Sequence, residues 1–489
     1  MSANFHEVLT VTDKADSSPI SIRPDDHDIL WEDVREKRNP MNWNLGVKIF
    51  HTAIPCIIST FAISVTVPAS PHIAAAFAVS RTESLLPLTL YTLGLAFGPL
   101  LIAPFSEVLG RRGIYISTFF LLLLFTGAGT ASPNFATLLA CRFLAGFLGS
   151  SSMAIGAGTV SDIWVLQKAG GTVGLFFILG PFLGPILGPI AGSYILEDHD
   201  NDWRWTQWLI LLVGAPVWLA SLCMKETSKA YILRHDKTGD AVAATGSGTS
   251  AALYQTMVKI RFAVLRAVKL LFTDMVVFSL SLYTAYAYAL TFSYFASIPY
   301  VYPRYYDLSQ KESNLMFLSI MIGYMLAIAV FAFFDRTLYA RARDAVAGAM
   351  PPPEHRLYSA LMGSIFLPIS LFWFAWAGRR NGHWAVLASS GIPFGLGAFS
   401  LFLSAINYLV DVYQSRAAAS ALAANGALRF TMAAVFPLFT LQMYERLGIR
   451  WAGTLFGALS IILLPIPWLL FHKGPQLRAW RNSGTQSVI

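Results

Sequence analysis

The sequence predicts an all-α membrane protein in which twelve transmembrane helices form two six-helix bundles, with the N and C termini cytosolic. Three observations predict this. Only 13% of the 489 residues are charged, about half the share usual for a soluble protein, while 55% are hydrophobic. The charges are unevenly placed: long stretches carry none, and charged residues cluster between them. A charge at mid-bilayer costs roughly 2.5–3.5 kcal/mol even on the lenient insertion scale, so membrane proteins divide their sequences in this way. Finally, Lys and Arg concentrate on one side of the spans that these stretches define.

A spanning helix needs roughly 17–25 mainly apolar residues. Twelve stretches qualify: 48–69, 85–106, 114–132, 136–161, 172–195, 205–223, 275–301, 313–334, 357–377, 384–410, 417–441 and 450–471. Several hold Gly or Pro, such as Pro55, Gly94, Pro99, Pro216, Pro368 and Pro393. Spanning helices tolerate these because neighbouring helices re-satisfy the freed backbone groups. With the N-terminus inside, 25 of the 35 basic residues fall in the tails and cytosolic loops, eight in outer loops and two within spans. That asymmetry orients the chain. The outer loop Glu197-Asp198-His199-Asp200-Asn201-Asp202 is acidic and does not conflict.

The division follows. Residues 1–47 read as a polar, disordered cytosolic tail without the apolar segment of a cleavable leader. Residues 48–223 make the first bundle, 224–272 a cytosolic linker with a flexible run over 243–250, 273–472 the second bundle and 473–489 a cytosolic tail. Two six-helix halves joined by such a linker is the plan of transporters built from parallel repeats, which bind substrate near mid-membrane between the halves.

Composition removes other classes. The net charge of +8 follows from cytosolic loops, and no basic stripe interleaved with aromatics marks a nucleic-acid surface. Cys56, Cys141 and Cys223 lie in or beside apolar runs and have no metal-ligand spacing, so they read as packing residues and no metal or cofactor is expected. No Asn-x-Ser/Thr sequon and no phosphate-binding Gly-x-x-x-x-Gly-Lys-Ser/Thr string occurs. A membrane enzyme would need a catalytic constellation that the sequence does not present.

Three strings carry chemistry. The turn between spans 2 and 3 runs from Gly98 through Pro104, Ser106 and Glu107 to Gly110, Arg111 and Arg112. Gly110 and Gly113 suit a tight reversal, and Glu107 and Arg111 pair if the helix continues between them. In span 4, Arg142 is followed by Gly146 and Gly149, and Asp162 closes the segment. An arginine inside the membrane marks function by default. Asp162 lies twenty residues on, or ~30 Å along a helix, so the two cannot pair. In span 5, Gly180-Pro181, Gly184-Pro185 and Gly188-Pro189 recur every four residues and end at Gly192. The glycines therefore share one face and permit close helix approach, while each Pro removes a backbone donor.

Together these strings resemble the major facilitator superfamily, in the form of the fungal twelve-span drug:proton antiporters. The resemblance covers about residues 39–475 and includes Asp202-Trp203-Arg204-Trp205, Glu226-Thr227 and the segment around Asn425. It implies that Glu107, Arg111 and Asp162 form a charge cluster latching the outward-facing state. It associates Arg142 with proton coupling, and it places the Gly-Pro repeat of the antiporter branch between the halves. One departure stands out: the loop after Asp162 usually carries Arg-Gly, but here reads Gln167-Lys168-Ala169-Gly170. Lys168 is a poorer bidentate donor.

For a substrate cavity, span 7 is aromatic, with Tyr283, Tyr286, Tyr288, Phe292 and Tyr294 among its rings. Mid-span Tyr286, Phe292 and Tyr294 are candidate pocket residues for an amphipathic ligand, with Asn407 and Asn425 as polar groups. Arg429, deep in span 11, has no acidic partner in its neighbourhood of sequence. If it faces the cavity, it favours anionic cargo. His51 reads as a hydrogen-bonded structural histidine rather than a titrating one. The resemblance implies a monomeric, proton-coupled exporter of a hydrophobic or amphipathic small molecule, a drug or a secondary metabolite, in a fungal plasma membrane. The alternative is an exporter or symporter of an organic acid or other nutrient on the same fold.

Overall fold

A computed structural model describes residues 39–164, 171–229, 231–232, 248–345, 351–378 and 382–485. The N-terminal tail up to residue 38 and the loop with Lys168 lie outside the described residues, as do 233–247 of the linker. Among the described residues the secondary structure is helical throughout.

Local chemistry explains where helices begin. Helix α1 (Leu45–Ser64) starts at Asn44, whose side chain accepts from the Val47 N–H. A short α2 (Ser70–Phe77) follows, then α3 (Leu86–Leu109) and α4 (Arg111–Thr130). Helix α5 (Phe135–Gly149) opens at Asn134, which caps Thr137, and passes into α6 (Ser151–Ile163). Helices α7 (Gly171–Glu197) and α8 (Arg204–Leu222) complete the first half. Such caps satisfy backbone donors that the first turn leaves unpaired.

The linker is more ordered than its composition suggests, because helix α9 (Gly248–Thr273) occupies more than half of it. Gly248, Thr249 and Ser250, read as part of a flexible run, instead begin this helix. Asp274 then caps α10 (Met275–Tyr306) by accepting from Val276 and Val277. After α10 come α11 (Gln310–Leu315), α12 (Phe317–Phe334), α13 (Ala340–Asp344), α14 (Tyr358–Ala377) and α15 (Trp384–Ala388).

Helical backbone then runs without interruption through α16 (Gly391–Leu463) and resumes in α17 (Pro465–Thr485). Two contacts show that α16 folds back on itself. The Arg429 guanidinium lies 4.4 Å from the Phe402 ring, although 27 residues of straight helix would separate them by ~40 Å. The rings of Phe436 and Phe456 are 6.2 Å apart across twenty residues, worth ~30 Å. Gly448, at φ +75°, lies within that second reversal, in a conformation other residues rarely adopt.

Nine segments among the described residues are long and apolar enough to cross a membrane. Shorter apolar helices at Leu45–Ile54 and Phe182–Glu197 fall where spans 1 and 5 are expected. The most extensive packing joins α16 to α10, α14 and α12, α3 to α5, and α1 to α7, while α3 also meets α16 and α7 meets α12. One continuous apolar core runs through all of these.

Candidate functional site

At the end of the bundle that carries the basic loops, Gly110 adopts φ +79° and separates α3 from α4. The helix therefore does not continue from Glu107 to Arg111, and the geometry assumed for an i,i+4 pair is lost. The side chain of Glu107 lies outside the described residues. Arg111 turns instead to Asp162, with Nη2 and Oδ2 3.0 Å apart. Its Nη1 donates to the Ile155 carbonyl at 3.1 Å. Gly158 makes room: a Cβ there would fall 2.3 Å from the guanidinium. Burial pushes the Asp162 carboxyl up to about 6, against the pull of Arg111 and helped by nearby Glu226.

Glu226 does more than neighbour this pair. It accepts from the backbone N–H of Arg111 at 2.9 Å and of Arg112 at 3.0 Å, a carboxylate on the positive end of α4. Arg112 also donates to the Leu222 carbonyl. Gly98 packs against Phe147 and Ser150, and Pro104 is half-buried within α3. The second half has a counterpart, since Arg356 reaches Asp335 and Asp411, each at 2.8 Å, and Arg478 pairs with Glu354.

Arg142 is 1% exposed, so it does not reach outward to water. Its Nη2 donates to the carbonyls of Ala62 at 2.8 Å and Ile63 at 3.3 Å, and to Thr66 Oγ1. Those carbonyls belong to the last turn of α1, which leaves acceptors unpaired and carries the negative end of the helix dipole. Tyr91 places its ring 4.4 Å from the same guanidinium.

The Gly-Pro repeat packs within the first half. A Cβ at Gly184 would strike Thr60, at Gly188 Ser64 and at Gly192 the Val65 carbonyl, all at or just beyond the end of α1. Pro189 has no N–H for the Pro185 carbonyl, and Ser64 Oγ donates to it at 2.9 Å instead. The expected position between the halves holds only for the other face of α7, where Asn314 Nδ2 donates to the Pro189 carbonyl and Phe182 points at the second half. Gly180 is half-buried near the start of this stretch, and the side chain of Pro181 lies outside the described residues.

Phe182 is the centre of an aromatic cluster that the sequence did not single out. Its ring lies 4.6 Å from Phe402, 4.7 Å from Phe399, 5.2 Å from Tyr288 and 5.3 Å from Tyr324. Arg429 rests against the same cluster. Of the candidate pocket residues, Phe292 borders it through Tyr288. The others are turned elsewhere. Tyr286 donates to the Phe456 carbonyl at 2.5 Å, and Tyr294 is wedged between Phe374 and Phe394. Asn425 donates to Thr284 on α10, and Asn407 to the Leu403 carbonyl of its own helix. Asn425 thus ties two helices together, while Asn407 serves its own. His51 likewise joins α1 to the chain after α8: its Nε2 accepts from the Lys225 N–H at 2.7 Å.

Toward the opposite end the halves are tied by polar contacts. Thr89 donates to the Ala434 carbonyl, Gln310 to the Pro68 carbonyl and Gln442 to Thr82, while Lys311 pairs with Glu197. A cavity of about 290 Å³ remains between them, bounded by Val67, Arg81, Leu85, Phe295 and Pro299.

These features define a multi-pass helical membrane protein whose two parts meet around a buried aromatic and cationic centre, the architecture of a solute transporter rather than an enzyme. The chain belongs to the Major Facilitator Superfamily, whose pattern it matches over residues 53–437. It is similar to fungal transporters along nearly its whole length. It is 33% identical to Polyamine transporter 4 of Saccharomyces cerevisiae, over 93% of this chain and 73% of that protein. It is 36% identical to the MFS-type efflux pump MFS2 of Trichophyton rubrum, over 91% and 75%. The multidrug transporter mdrA of Aspergillus fumigatus is 34% identical, over 93% and 75%.

Proposed function

We propose that this protein is a proton-coupled exporter that moves a hydrophobic or amphipathic small molecule out of the cytosol by alternating access between two six-helix halves. The observation that carries this reading is the Phe182 cluster, in which one ring of the first half is enclosed by Tyr288, Tyr324, Phe399 and Phe402 of the second. Such a surface offers broad apolar contact at the boundary that must part for transport. Polar contacts toward the far end, such as Thr89 with Ala434, suit a state closed to the outside. Efflux pumps among the relatives support the direction.

Twelve spans are supported by the nine long segments, the two shorter apolar helices and the reversal at Gly448, which divides the segment Ala418–Arg478 in two. Cytosolic termini follow from the basic loops. Glu107, Arg111 and Asp162 serve as a charge latch on the cytosolic face. Arg142 serves proton coupling through its hold on α1. The protein works as a monomer in the plasma membrane. Loading inside-out vesicles tests the reading: an acidic lumen drives accumulation of an amphipathic dye, and a protonophore stops it. Accumulation driven by an alkaline lumen refutes it.

A further inference from the structure

We propose that Arg429 anchors a carboxylate on the transported molecule, so that the cargo class is an amphipathic organic acid. This rests on the export reading and adds the chemistry of the cargo. Nε and Nη1 of Arg429 are both buried with no hydrogen-bond partner. The groups around the guanidinium are rings: Phe402 at 4.4 Å, Phe430 at 4.9 Å and Tyr288 at 5.0 Å. Aromatic faces attract a cation but do not neutralise it. Arg142 has the same two nitrogens unpaired, but its Nη2 is answered by the carbonyls of α1; Arg429 has no hydrogen bond among the described residues, and a guanidinium so placed among rings is strongly disfavoured unless an anion joins it. Among the described residues Arg429 has no carboxylate partner, and Tyr288 is the titratable group that faces it.

Two further observations point to a ligand. The Tyr288 hydroxyl is itself buried and unpartnered, so a second donor waits beside the first. Gly426, one turn before Arg429 on the same helix face, looks onto open space: a Cβ there would meet nothing within 4 Å. A carboxylate entering that space accepts from Arg429 and Tyr288, while Phe402 and Phe430 cover the apolar body next to it. Phe182 of the first half packs on Tyr288 and Phe402. A bound acid therefore touches the rings across which the halves meet.

The test compares naphthylacetate, naphthylacetamide and naphthylethylamine on the full-length protein, by thermal-shift titration and by uptake into proteoliposomes. The carboxylate is expected to bind roughly 10- to 100-fold more tightly than the amide, the worth of one charge-assisted hydrogen bond. Arg429→Gln removes that advantage, bringing acid and amide to similar affinity. Equal binding of acid and amide by the wild type, a preference for the amine, or an acid preference surviving in Arg429→Gln overturns the proposal. Should Arg429→Gln fail to reach the membrane, Tyr288→Phe decides: it lowers acid binding more than amide binding, and an unaltered preference overturns the proposal. Gradient-driven export of the amide without any acid preference defeats this inference and leaves the export reading standing. If no probe moves under either gradient, the export reading fails, while the binding comparison still decides the anchor.

Discussion

Arg142 and Arg429 are both arginines set deep in membrane helices, yet they differ in what answers the guanidinium. Arg142 is buried and gives its Nη2 to the last carbonyls of α1. In both, Nε and Nη1 are buried without a partner, but Arg429 has only rings around it and, among the described residues, no carbonyl at its remaining nitrogen. One cation is anchored to a helix end through one nitrogen; the other has no such anchor. The comparison teaches that a buried charge is read from its partners rather than its depth. An arginine answered by protein carbonyls acts on architecture, and one answered by nothing waits for something that arrives.

Substitutions can break that contrast, and the largest effect falls on Arg142. Arg142→Ala removes hydrogen bonds to a charged group worth about 1.5–3 kcal/mol each. Export at matched membrane abundance is expected to fall by at least ~100-fold, with a lower melting temperature. Normal export by this variant would show that Arg142 has no part in coupling. In the absence of ligand, Arg429→Gln is expected to leave the melting temperature unchanged or higher, because it deletes an uncompensated charge. A drop as large as that of Arg142→Ala would erase the distinction between the two.

Gly188→Ala comes next. Its Cβ would lie 2.2 Å from Ser64 Oγ and 2.8 Å from the Val65 nitrogen, so α1 and α7 must separate just where Arg142 grips α1. A loss of about 1–3 kcal/mol in stability is expected, read as a lower melting temperature. Glu226→Gln weakens the charged cap on α4 by about 1 kcal/mol. It should slow the conformational cycle more than it lowers stability, which single-turnover efflux measures; an unchanged rate would leave Glu226 a structural cap.

The smallest effect is a pH dependence. Burial raises the Asp162 carboxyl to about 6, above its ordinary value. The folded state then holds a proton that the unfolded state has released, so this group contributes most below about pH 4, and that contribution is lost as pH rises through 6. Asp162→Asn mimics the protonated form. The wild type should match it in melting temperature near pH 5 and fall below it by pH 7.5. A gap that moves the other way would mean that the Arg111 pair outweighs the burial of the charge.

Much of this was legible in the sequence. The spacing of charges predicts the helical membrane class, Arg142 and the Gly-Pro repeat stand out by position and spacing, and Asp162 through the family resemblance. What was not legible depends on neighbours distant in the chain. Nothing about Glu226 in sequence says that it caps a helix begun at Arg111, nor that Gly158 clears space for that side chain. Phe182 looked like one residue of a packing repeat, but its ring meets three helices of the other half. Tyr286 and Tyr294 had the right chemistry for a cavity, and helical periodicity could not reveal that their faces turn into the second half. The unbroken helix assumed between Glu107 and Arg111 was wrong, because one glycine with positive φ ends it between them.

The most direct test of the central claim is gradient-driven transport by the reconstituted full-length protein, using proteoliposomes oriented with the Arg111 face outward. An acidic lumen should drive uptake of an amphipathic probe, collapse with a protonophore, and disappear in Arg142→Ala. Uptake driven by an alkaline lumen, or uptake that ignores the proton gradient, would contradict the account.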